Sequence, residues 1–376
     1  MISAIIVNYF LADSAIRAVQ SLLPPNQQEE IEIWIVDNSE SEAEAKKLKD
    51  TLGDISHLII NDKNVGFGEA CNQAYRQAKG EWIFLLNPDA YLESGALTVL
   101  RNFLQYNQRV GAVGPSIYWD AAHQFFLPPS LPPTPWQMFL NKPRGYLGGK
   151  LTWFSSLKYR NRALHYWQST CPLRQLNLSG GHVLLRREAI EKVGGLFDPQ
   201  FFLYYEDTDL FLRLRQANYQ LFYLPDTVAI HDFGGCAPEK TAWKWAEMAN
   251  SHNKFMEKYY QHQPFYKWIK QLYQNETIVP WQPQIEDLGI LETPPCFPVP
   301  PAWQNDWLLE WSLVPYFFPA AGYFGQGEQA IFPTSIWSQL PPARHFVRMG
   351  SRHQFWVPPR IWQWETVCRD EPVCSS

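Results

Sequence analysis

The tripeptide Asn87-Pro88-Asp89 has residue types and a position that could bind a metal ion. It directly follows the apolar run 82–86, which is typical of a buried strand. A carboxylate in that position can hold Mg²⁺ or Mn²⁺, hard cations that take oxygen ligands and the phosphates of a substrate. Turns that contain aspartate are also common after strands. The tripeptide alone therefore leaves both a metal site and an ordinary turn open.

A second acidic stretch, Glu206-Asp207-Thr208-Asp209, has the composition of a general-base site. It follows residues 201–205, of which four are aromatic. Aromatic neighbours remove water from a carboxylate and can tune it as a general base. Acidic residues at the start of a helix also interact favourably with the helix dipole, and part of the stretch is expected to do so.

Three further positions could contact a ligand, and each has a simpler interpretation. Asp37 ends the apolar run 31–36, where its carboxylate could accept a hydrogen bond from a pyrimidine imide or a ribose hydroxyl, or form an N-cap or Asx turn. Gly66, within 64–68, allows the backbone close to a ligand or permits positive φ. His231 could bind a metal or a phosphate, although a lone histidine is more often structural.

The first hundred residues supply the elements that would position these side chains. Four short apolar runs have the composition of buried strands, at 4–7, 31–36, 58–60 and 82–86. Stretches of helical pattern lie between them, at 13–23, 41–52 and 69–79. This alternation predicts an α/β fold with a doubly wound, mostly parallel sheet. Ligands bind beyond the carboxyl ends of such strands, so the polar clusters at 8–9, 37–38, 61–68 and 87–89 are expected on one rim.

Segment 116–175 differs from the regular stretches on either side. It is rich in proline and aromatic residues and carries seven Lys or Arg residues but only one acid. That charge suits an anionic lipid headgroup or a diphosphate-linked acceptor. An irregular loop whose aromatic side chains pack on the core is an equally good interpretation.

A second change of composition places a domain boundary near residue 280. Residues 281–376 contain no lysine but hold 14 of the 30 prolines and 8 of the 17 tryptophans. We therefore expect a catalytic domain at 1–279 and a smaller accessory region of unknown type, possibly β-rich, at 280–376. Its tryptophans could stack on sugars, but packing into a core is the favoured interpretation.

Composition excludes several classes of protein. Apolar residues make up 46% of the chain, which excludes a disordered protein, and the net charge of −5 argues against a nucleic-acid binder. The six cysteines lack zinc-site spacing, and no run of 18 or more apolar residues could span a membrane. No signal peptide is recognisable at the start. We expect a cytoplasmic protein, with peripheral attachment to the inner face of the membrane left open.

Taken in order, a series of short motifs resembles the family 2 glycosyltransferases of the GT-A fold, and most closely their rhamnosyltransferase-like branch. The matching stretches lie at 6–9, 36–39, 64–68 with Asn72, 86–90, 179–181 with 186–187, 195–198 and 201–210. They span about residues 1–260. The resemblance implies a Rossmann-like GT-A fold and the transfer of a sugar from a nucleotide-diphosphate donor, with inversion at the anomeric carbon.

The resemblance also implies a donor site. The residues expected to bind the nucleotide and the donor sugar are Asn8, Asp37, Asn64, Gly66, Asn87, Gly180 and Gly181. Asp37 would contact the base. Asp89 would bind Mg²⁺ or Mn²⁺ on the donor diphosphate, with Asn87 in place of the first acid of the family's DxD motif and His231 assisting. Donors with deoxythymidine or uridine diphosphate are usual in this family.

On the acceptor side the resemblance makes Asp207 the base that deprotonates the attacking hydroxyl, with Glu206 and Tyr205 beside it. The acceptor would be a glycan or a lipid-linked sugar. The chain lacks the Gln-x-x-Arg-Trp signature of processive synthases, which favours the addition of a single sugar. It also departs from many relatives at Phe10 and Cys236, which affects the expected base contact and the expected role of His231.

Two other functions remain open from the sequence. A sugar nucleotidyltransferase shares the nucleotide-binding half-sheet, but its first loop is usually glycine-rich with Arg and Lys, whereas residues 8–11 here are Asn-Tyr-Phe-Leu. A non-catalytic carbohydrate-binding or scaffold protein would not need both Asp89 and Asp207.

Overall fold

The computed structural model describes residues 1–23, 30–141, 145–232, 241–274, 284–353 and 359–367. Within these ranges the chain forms an α/β fold around one large sheet, which confirms the predicted fold class. Cys236 lies outside the described residues.

The first four strands form the parallel part of the sheet. They are β1 (Ile2–Asn8), β2 (Ile31–Asp37), β3 (His57–Ile60) and β4 (Trp82–Leu86), in the order β3-β2-β1-β4. The helices α1 (Ala12–Ser21), α2 (Glu42–Leu52) and α3 (Phe67–Gln77) connect them. β1 and β4 are buried along their whole length, as continuous apolar runs predict. The register of β1 and β2 aligns Asn8 with Asp37 at the carboxyl edge.

Beyond β4 the strands run in mixed directions. In chain order follow β5 (Ala90–Leu92), α4 (Ala96–Tyr106), β6 (Val110–Tyr118), β7 (Phe125–Phe126), α5 (Pro135–Asn141), α6 (Gly145–Trp167), β8 (Leu173–Gln175), β9 (His182–Arg186), α7 (Arg187–Lys192), α8 (Glu206–Gln216) and β10 (Gln220–His231). β9 lies antiparallel between β4 and β6, and β10 runs parallel to β6. β5 pairs with the end of β10 and aligns Ala90 with His231. The residues after β4 and the end of β10 therefore meet at one edge.

Helices α5 and α6 form about half of segment 116–175, which is therefore not the irregular loop that is one of the two expectations for it. No proline falls within α6, four prolines at 128–133 precede α5, and Pro135 is its first residue. Of the helices in the described ranges, none is both long and apolar enough to cross a membrane.

The C-terminal residues are rich in strands, as expected, and extend the same sheet. They form α9 (Thr241–Tyr260), α10 (Pro264–Gln274), β11 (Glu286–Ile290), β12 (Cys296–Pro298), β13 (Trp307–Ser312), β14 (Ala321–Gly325), β15 (Gln329–Ile331), α11 (Thr334–Trp337), β16 (Arg344–Ser351) and β17 (Arg360–Glu365). β14 pairs with β7, which joins β11-β17-β16-β13-β14 to the rest of the sheet. The predicted boundary near 280 falls outside the described residues and stays a prediction.

A buried ion cluster ties α6 to these C-terminal strands. Glu310 on β13 is fully buried and accepts hydrogen bonds from Arg160 Nε and Arg348 Nε, each at 2.8 Å. Burial raises the pKa of Glu310, but the two guanidinium charges outweigh it and lower the pKa overall. Arg348 also lies 4.6 Å from the Phe317 ring. Because three charges are buried together, each depends on the others.

Most tryptophans of the C-terminal region are packing residues. The buried ones are Trp303, Trp307, Trp311, Trp337, Trp362 and Trp364, which form one apolar cluster with Trp119 and Phe125 of the preceding segment. These rings are part of a core and not a row of exposed sugar-stacking platforms.

Candidate functional site

A cavity of about 530 Å³ opens at the carboxyl ends of β1, β2, β3 and β4. Its wall is formed by the four loops that follow these strands, by the turn before α8 and by the start of α9. Its lining includes Asn38, Asn64, Gly66, Asn87, Asp89, Phe202, Tyr204, Trp243 and Lys244. The cavity therefore lies where ligands bind in open α/β sheets.

Asp89 and His231 meet at this edge because β5 pairs with β10. The Asp89 backbone carbonyl accepts a hydrogen bond from Asp232 N at 2.9 Å, and His231 Nε2 lies 3.1 Å from Asp89 Oδ1. Burial raises the pKa of Asp89, but the charge and hydrogen bond of His231 outweigh it, so the pKa is lowered. Asp89 is therefore an ionised carboxylate beside an imidazole.

This pair of residues fits a divalent cation. Asp89 Oδ1 and His231 Nε2, which a hydrogen bond joins at 3.1 Å, are as close as two adjacent ligands of an octahedral ion, which lie roughly 3 Å apart. Both atoms would reach such an ion once Nε2 has lost its proton. Mg²⁺ commonly takes one or two protein carboxylates and completes its shell with water and substrate phosphates. Among the described residues there is no group of three or more His, Cys, Asp or Glu placed to hold a metal. Such an ion would have two protein ligands and would take the remaining ones from water and the phosphates of a substrate.

His182 is a third functional candidate at this edge. It is buried, its ring centroid lies 4.7 Å from that of His231, and its Nδ1 is 3.1 Å from Ser179 Oγ. Its buried Nε2 has no hydrogen-bond partner. Burial, and then the charge of His231, lower the pKa of His182 well below its usual value. The neutral imidazole of His182 therefore packs against His231.

Asp207, in the first turn of α8, has the environment of a general base. Its Oδ2 accepts a hydrogen bond from Gly180 N at 2.9 Å, and its Oδ1 accepts one from Thr208 N at 2.6 Å. Burial raises the pKa of Asp207, and these hydrogen bonds offset only part of that rise. A carboxylate that gains basicity in this way is better suited to take a proton near neutral pH.

Gly180 and Gly181 bring Asp207 and Asn87 together. A Cβ on Gly180 would lie 2.5 Å from Asp207 Cβ, and a Cβ on Gly181 would lie 2.4 Å from Asn87 Cγ. The Gly181 carbonyl also accepts a hydrogen bond from Asn87 N at 2.8 Å. The sequence predicts that both glycines bind the donor, but neither lines the cavity. They hold Asp207 and the turn that carries Asp89 on either side of one dipeptide.

Glu206 and Tyr205 lie beside Asp207 but do not line the cavity. Glu206 is buried and its Oε2 has no hydrogen-bond partner. Burial, and then the charge of Asp207, raise the pKa of Glu206 well above its usual value. Tyr205 packs against Phe255 and, like Tyr204, has a left-handed backbone with φ near 68° and 67°. This uncommon pair of residues turns the chain so that Tyr204, and not Tyr205, faces the cavity.

Asp209 has a structural role. It is fully buried and accepts hydrogen bonds from Arg213 Nε at 2.7 Å, Lys258 Nζ at 2.5 Å and Tyr259 Oη at 2.6 Å. It therefore anchors α8 to α9.

The structure brings Asn8 and Asp37 together behind the cavity wall. Asp37 Oδ1 accepts hydrogen bonds from Asn8 Nδ2 at 3.0 Å and from Ser39 Oγ at 2.6 Å. Both Asn8 and Asp37 are buried, and neither lines the cavity. They brace the turn after β2, which presents Asn38 to the cavity instead.

Asn64 and Gly66 do line the cavity, as predicted. Asn64 Oδ1 accepts a hydrogen bond from Gly66 N at 2.9 Å, and Gly66 has φ of +86°. A Cβ on Gly66 would lie 2.4 Å from the Phe202 carbonyl, which accepts a hydrogen bond from Phe67 N. Glycine is required here for its backbone conformation and for the close approach of the two loops.

Comparison with known proteins identifies the family of this chain. The family model for glycosyl transferase family 2 matches residues 3–194, which is about half of the chain. The chain belongs to glycosyl transferase family 2. The resemblance predicted from the motifs is thereby confirmed.

The curated relatives of this family 2 chain include N-acetylglucosaminyl-diphospho-decaprenol L-rhamnosyltransferases from two strains of Mycobacterium tuberculosis, CDC 1551 / Oshkosh and ATCC 25618 / H37Rv. Each is 28% identical over an alignment of 201 residues, and the alignment covers 46% of this chain. The match spans only 58% of the length of these relatives.

Two solved glycosyltransferases have a similar outline. The mannosyltransferase PcManGT from Pyrobaculum calidifontis, in complex with GDP-Man and Mn²⁺, is 17% identical with a TM-score of 0.45, over 72% of this chain and 68% of that one. GalNAc-T7, with UDP, GalNAc and Mn²⁺, is 16% identical with a TM-score of 0.48, over 71% and 49%.

Three residues of this family 2 site do not stand out in the sequence. Trp243 and Lys244 line the cavity from α9, and the charge of Lys244 contributes to the lowered pKa of Asp89. Both look like ordinary residues of an amphipathic helix, and only the return of α9 to the rim reveals them. His182 follows Gly180-Gly181 directly, so its place beside that dipeptide is the one signal that could have found it.

Proposed function

We propose that this family 2 glycosyltransferase moves a single sugar from a nucleoside-diphosphate sugar to a hydroxyl of a lipid-linked glycan, with inversion at the anomeric carbon. The observation that carries the proposal is the contact of Gly180 with Asp207 and of Gly181 with Asn87. It holds a base of raised pKa next to the turn that carries Asp89. A single displacement requires a base on one side of the anomeric carbon and a group that binds the diphosphate on the other.

The donor diphosphate would lie in the cavity, near Asp89, His231 and Lys244. Asp89 and His231 would hold Mg²⁺ or Mn²⁺, which when bound supplies positive charge to the departing diphosphate. Lys244 would add its own charge there. Trp243 and Asn38 offer an aromatic face and an amide for the nucleotide, which we propose to be uridine or deoxythymidine. Asn8 and Asp37 would act by fixing the position of Asn38.

The chemical step follows from the position of Asp207. Its carboxylate would take the proton of the acceptor hydroxyl while that oxygen bonds to the anomeric carbon. The bond between this carbon and the diphosphate oxygen breaks on the opposite face, so the configuration inverts. Glu206, uncharged because of its raised pKa, adds no second negative charge next to the base.

The acceptor class is supported by the curated relatives, whose name describes a diphospho-decaprenol acceptor. A lipid-linked acceptor would bring the enzyme to the inner face of the membrane from the cytoplasm. A non-catalytic carbohydrate-binding protein is the competing function, since it would also present a cavity at this rim.

A thermal-shift panel of uridine- and deoxythymidine-diphosphate sugars, with and without Mn²⁺, tests the proposal. A donor at a hundredfold excess over its Kd should stabilise the protein by about 2.7 kcal/mol. The matching donor should shift the Tm more with Mn²⁺ than without it, and should be consumed when acceptor is added. Binding of free sugars with no response to any nucleotide would instead identify a carbohydrate-binding protein.

A further inference from the structure

Helices α5 and α10 together expose a group of four aromatic side chains, Trp136, Phe139, Phe265 and Trp268, called the aromatic surface below. The side chains of Trp136, Phe265 and Trp268 are 56%, 38% and 48% exposed. The ring centroids of Trp136 and Phe265 are 6.0 Å apart, and those of Phe139 and Trp268 are 5.8 Å apart. The four rings therefore form one continuous patch across two helices.

Both helices are also held to the protein by buried side chains. These are Leu140 on α5 and Tyr266 and Ile269 on α10. Phe265 and Trp268 are three residues apart, as are Trp136 and Phe139, so each pair occupies one side of its helix. Exposed apolar patches of this kind mark interaction sites more often than chance exposure.

The helices α5, α6 and α10 carry an excess of positive charge. α5, α6 and α10 contain no Asp or Glu, and α5 contacts both other helices. Their basic residues are Lys150, Lys158, Arg160, Arg162, Lys267 and Lys270. Arg160 is neutralised by Glu310, and Lys270 by Glu257 of α9. Lys158 and Lys267 are exposed, and the three helices carry no acid of their own.

α6 adds apolar residues of its own. Leu151 and Phe154 are 37% and 53% exposed, and Lys158 Nζ lies 4.7 Å from the Phe154 ring. Rings with an apolar body next to lysines are suited to the boundary between lipid headgroups and acyl chains, where the rings enter the apolar layer and the lysines contact phosphate. An anionic bilayer matches both the rings and the excess of positive charge.

We propose that the aromatic surface binds the interface of an anionic lipid bilayer. The inference rests on the proposed function, because a lipid-linked acceptor would require the enzyme to bind a membrane. Its test therefore measures membrane binding separately from sugar transfer. α5 and α6 belong to the basic segment 116–175, and α10 joins them from a distant part of the sequence. The surface exists only in the folded chain.

The test is co-sedimentation of the full chain with vesicles of phosphatidylcholine, with and without phosphatidylglycerol. Wild-type protein should bind the anionic vesicles at least tenfold more tightly than the neutral ones. The double variant Trp136→Ala/Trp268→Ala should lose at least tenfold in binding to the anionic vesicles. Trp245→Ala is the matched control, because Trp245 is 51% exposed and lies on α9 outside the aromatic surface; it should bind as the wild type does.

A second variant, Lys158→Glu/Lys267→Glu, leaves the rings in place and should also lose binding to anionic vesicles. It keeps the proposal testable if the tryptophan variant fails to fold, which circular dichroism would show. Equal binding by wild type and both double variants would overturn the proposal. So would a lipid-free dimer that the tryptophan variant abolishes, since the surface would then join two copies of the chain. Nucleotide-sugar binding, measured on the same samples, separates failure of the proposed function from failure of this inference.

Discussion

Gly180 N donates a hydrogen bond to Asp207 Oδ2 at 2.9 Å, and no room remains between the two residues for a side chain on Gly180. The bond fixes one carboxylate oxygen of the proposed base. Because Gly181 contacts Asn87 in the same way, displacement of this dipeptide would move two parts of the site at once.

Gly180→Ala should lower kcat because its Cβ would push Asp207 away. A misplacement of about 1 Å can cost roughly 10²-fold in rate. Steady-state kinetics should show this loss with little change in donor affinity. Gly114→Ala is the matched control, since its Cβ would meet no atom closer than 3.4 Å. Equal kcat for the two variants would contradict the positioning role of Gly180.

Asp207→Asn should abolish proton transfer while leaving the cavity intact. Removal of a general base costs about 10²–10⁴-fold in rate. Donor binding by calorimetry should remain near the wild-type value, because Asp207 does not line the cavity. Asp226→Asn, at an exposed position on β10, is the control. Full transfer activity in a folded Asp207→Asn protein would rule out Asp207 as the base.

Asp89→Ala should remove the Mn²⁺ dependence of nucleotide-diphosphate binding, because one of the two proposed ligands is lost. We expect at least tenfold weaker binding in the presence of Mn²⁺ and little change without it. Calorimetric titration with UDP or dTDP measures both. Asp226→Ala controls for loss of a carboxylate elsewhere. Metal-enhanced binding that survives in Asp89→Ala would exclude Asp89 as a ligand.

Glu206→Gln should make stability less dependent on pH. The pKa of Glu206 is raised by burial and by Asp207, so the folded chain keeps this proton to a higher pH than the unfolded chain does. Above the usual pKa of 4.5 and up to the raised value, the folded state binds more protons, and its free energy of unfolding falls as pH rises. Urea unfolding at about pH 5 and about pH 8 should show a smaller fall for the variant. Asp207, also of raised pKa, leaves part of the slope. An unchanged slope would mean that Glu206 is ionised in the folded protein.

Glu310→Gln should destabilise the protein strongly, since it leaves Arg160 and Arg348 buried without their counter-charge. Breaking a buried ion pair costs about 3–5 kcal/mol. Glu365→Gln is the control, because its pair with Arg344 is exposed and such pairs contribute about 0–1 kcal/mol. Urea unfolding compares the two. Similar losses would contradict the burial of the cluster.

The sequence predicts the part of the site in which one strand leads directly into one loop. Asn64, Gly66, Asn87 and Asp89 follow strands whose apolar runs are continuous, and all four line the cavity. Asp37 shows the limit of this reasoning. It ends β2 but does not line the cavity, whereas its neighbour Asn38 does. Which of two adjacent residues faces outward depends on hydrogen bonds that a pattern does not specify.

Residues brought to the site by distant segments could not be predicted. Trp243 and Lys244 reach the cavity only because α9 returns to the rim, and His182 faces His231 only because β9 and β10 occupy the same sheet. Segment 116–175 illustrates the same limit, since its helices are held by partners such as Glu310, which lies 150 residues further along the chain than Arg160. Non-local pairings of this kind leave no periodic signal in the sequence.

The pairing of β7 with β14 also has a consequence during synthesis on the ribosome. Phe125 lies opposite Tyr323, so β7 has no partner on that side until nearly 200 more residues have been translated. An unpaired strand edge is a template for other chains. The nascent enzyme therefore carries this open sheet edge for about half of its translation, and chains released before residue 321 would lack the strand that covers it.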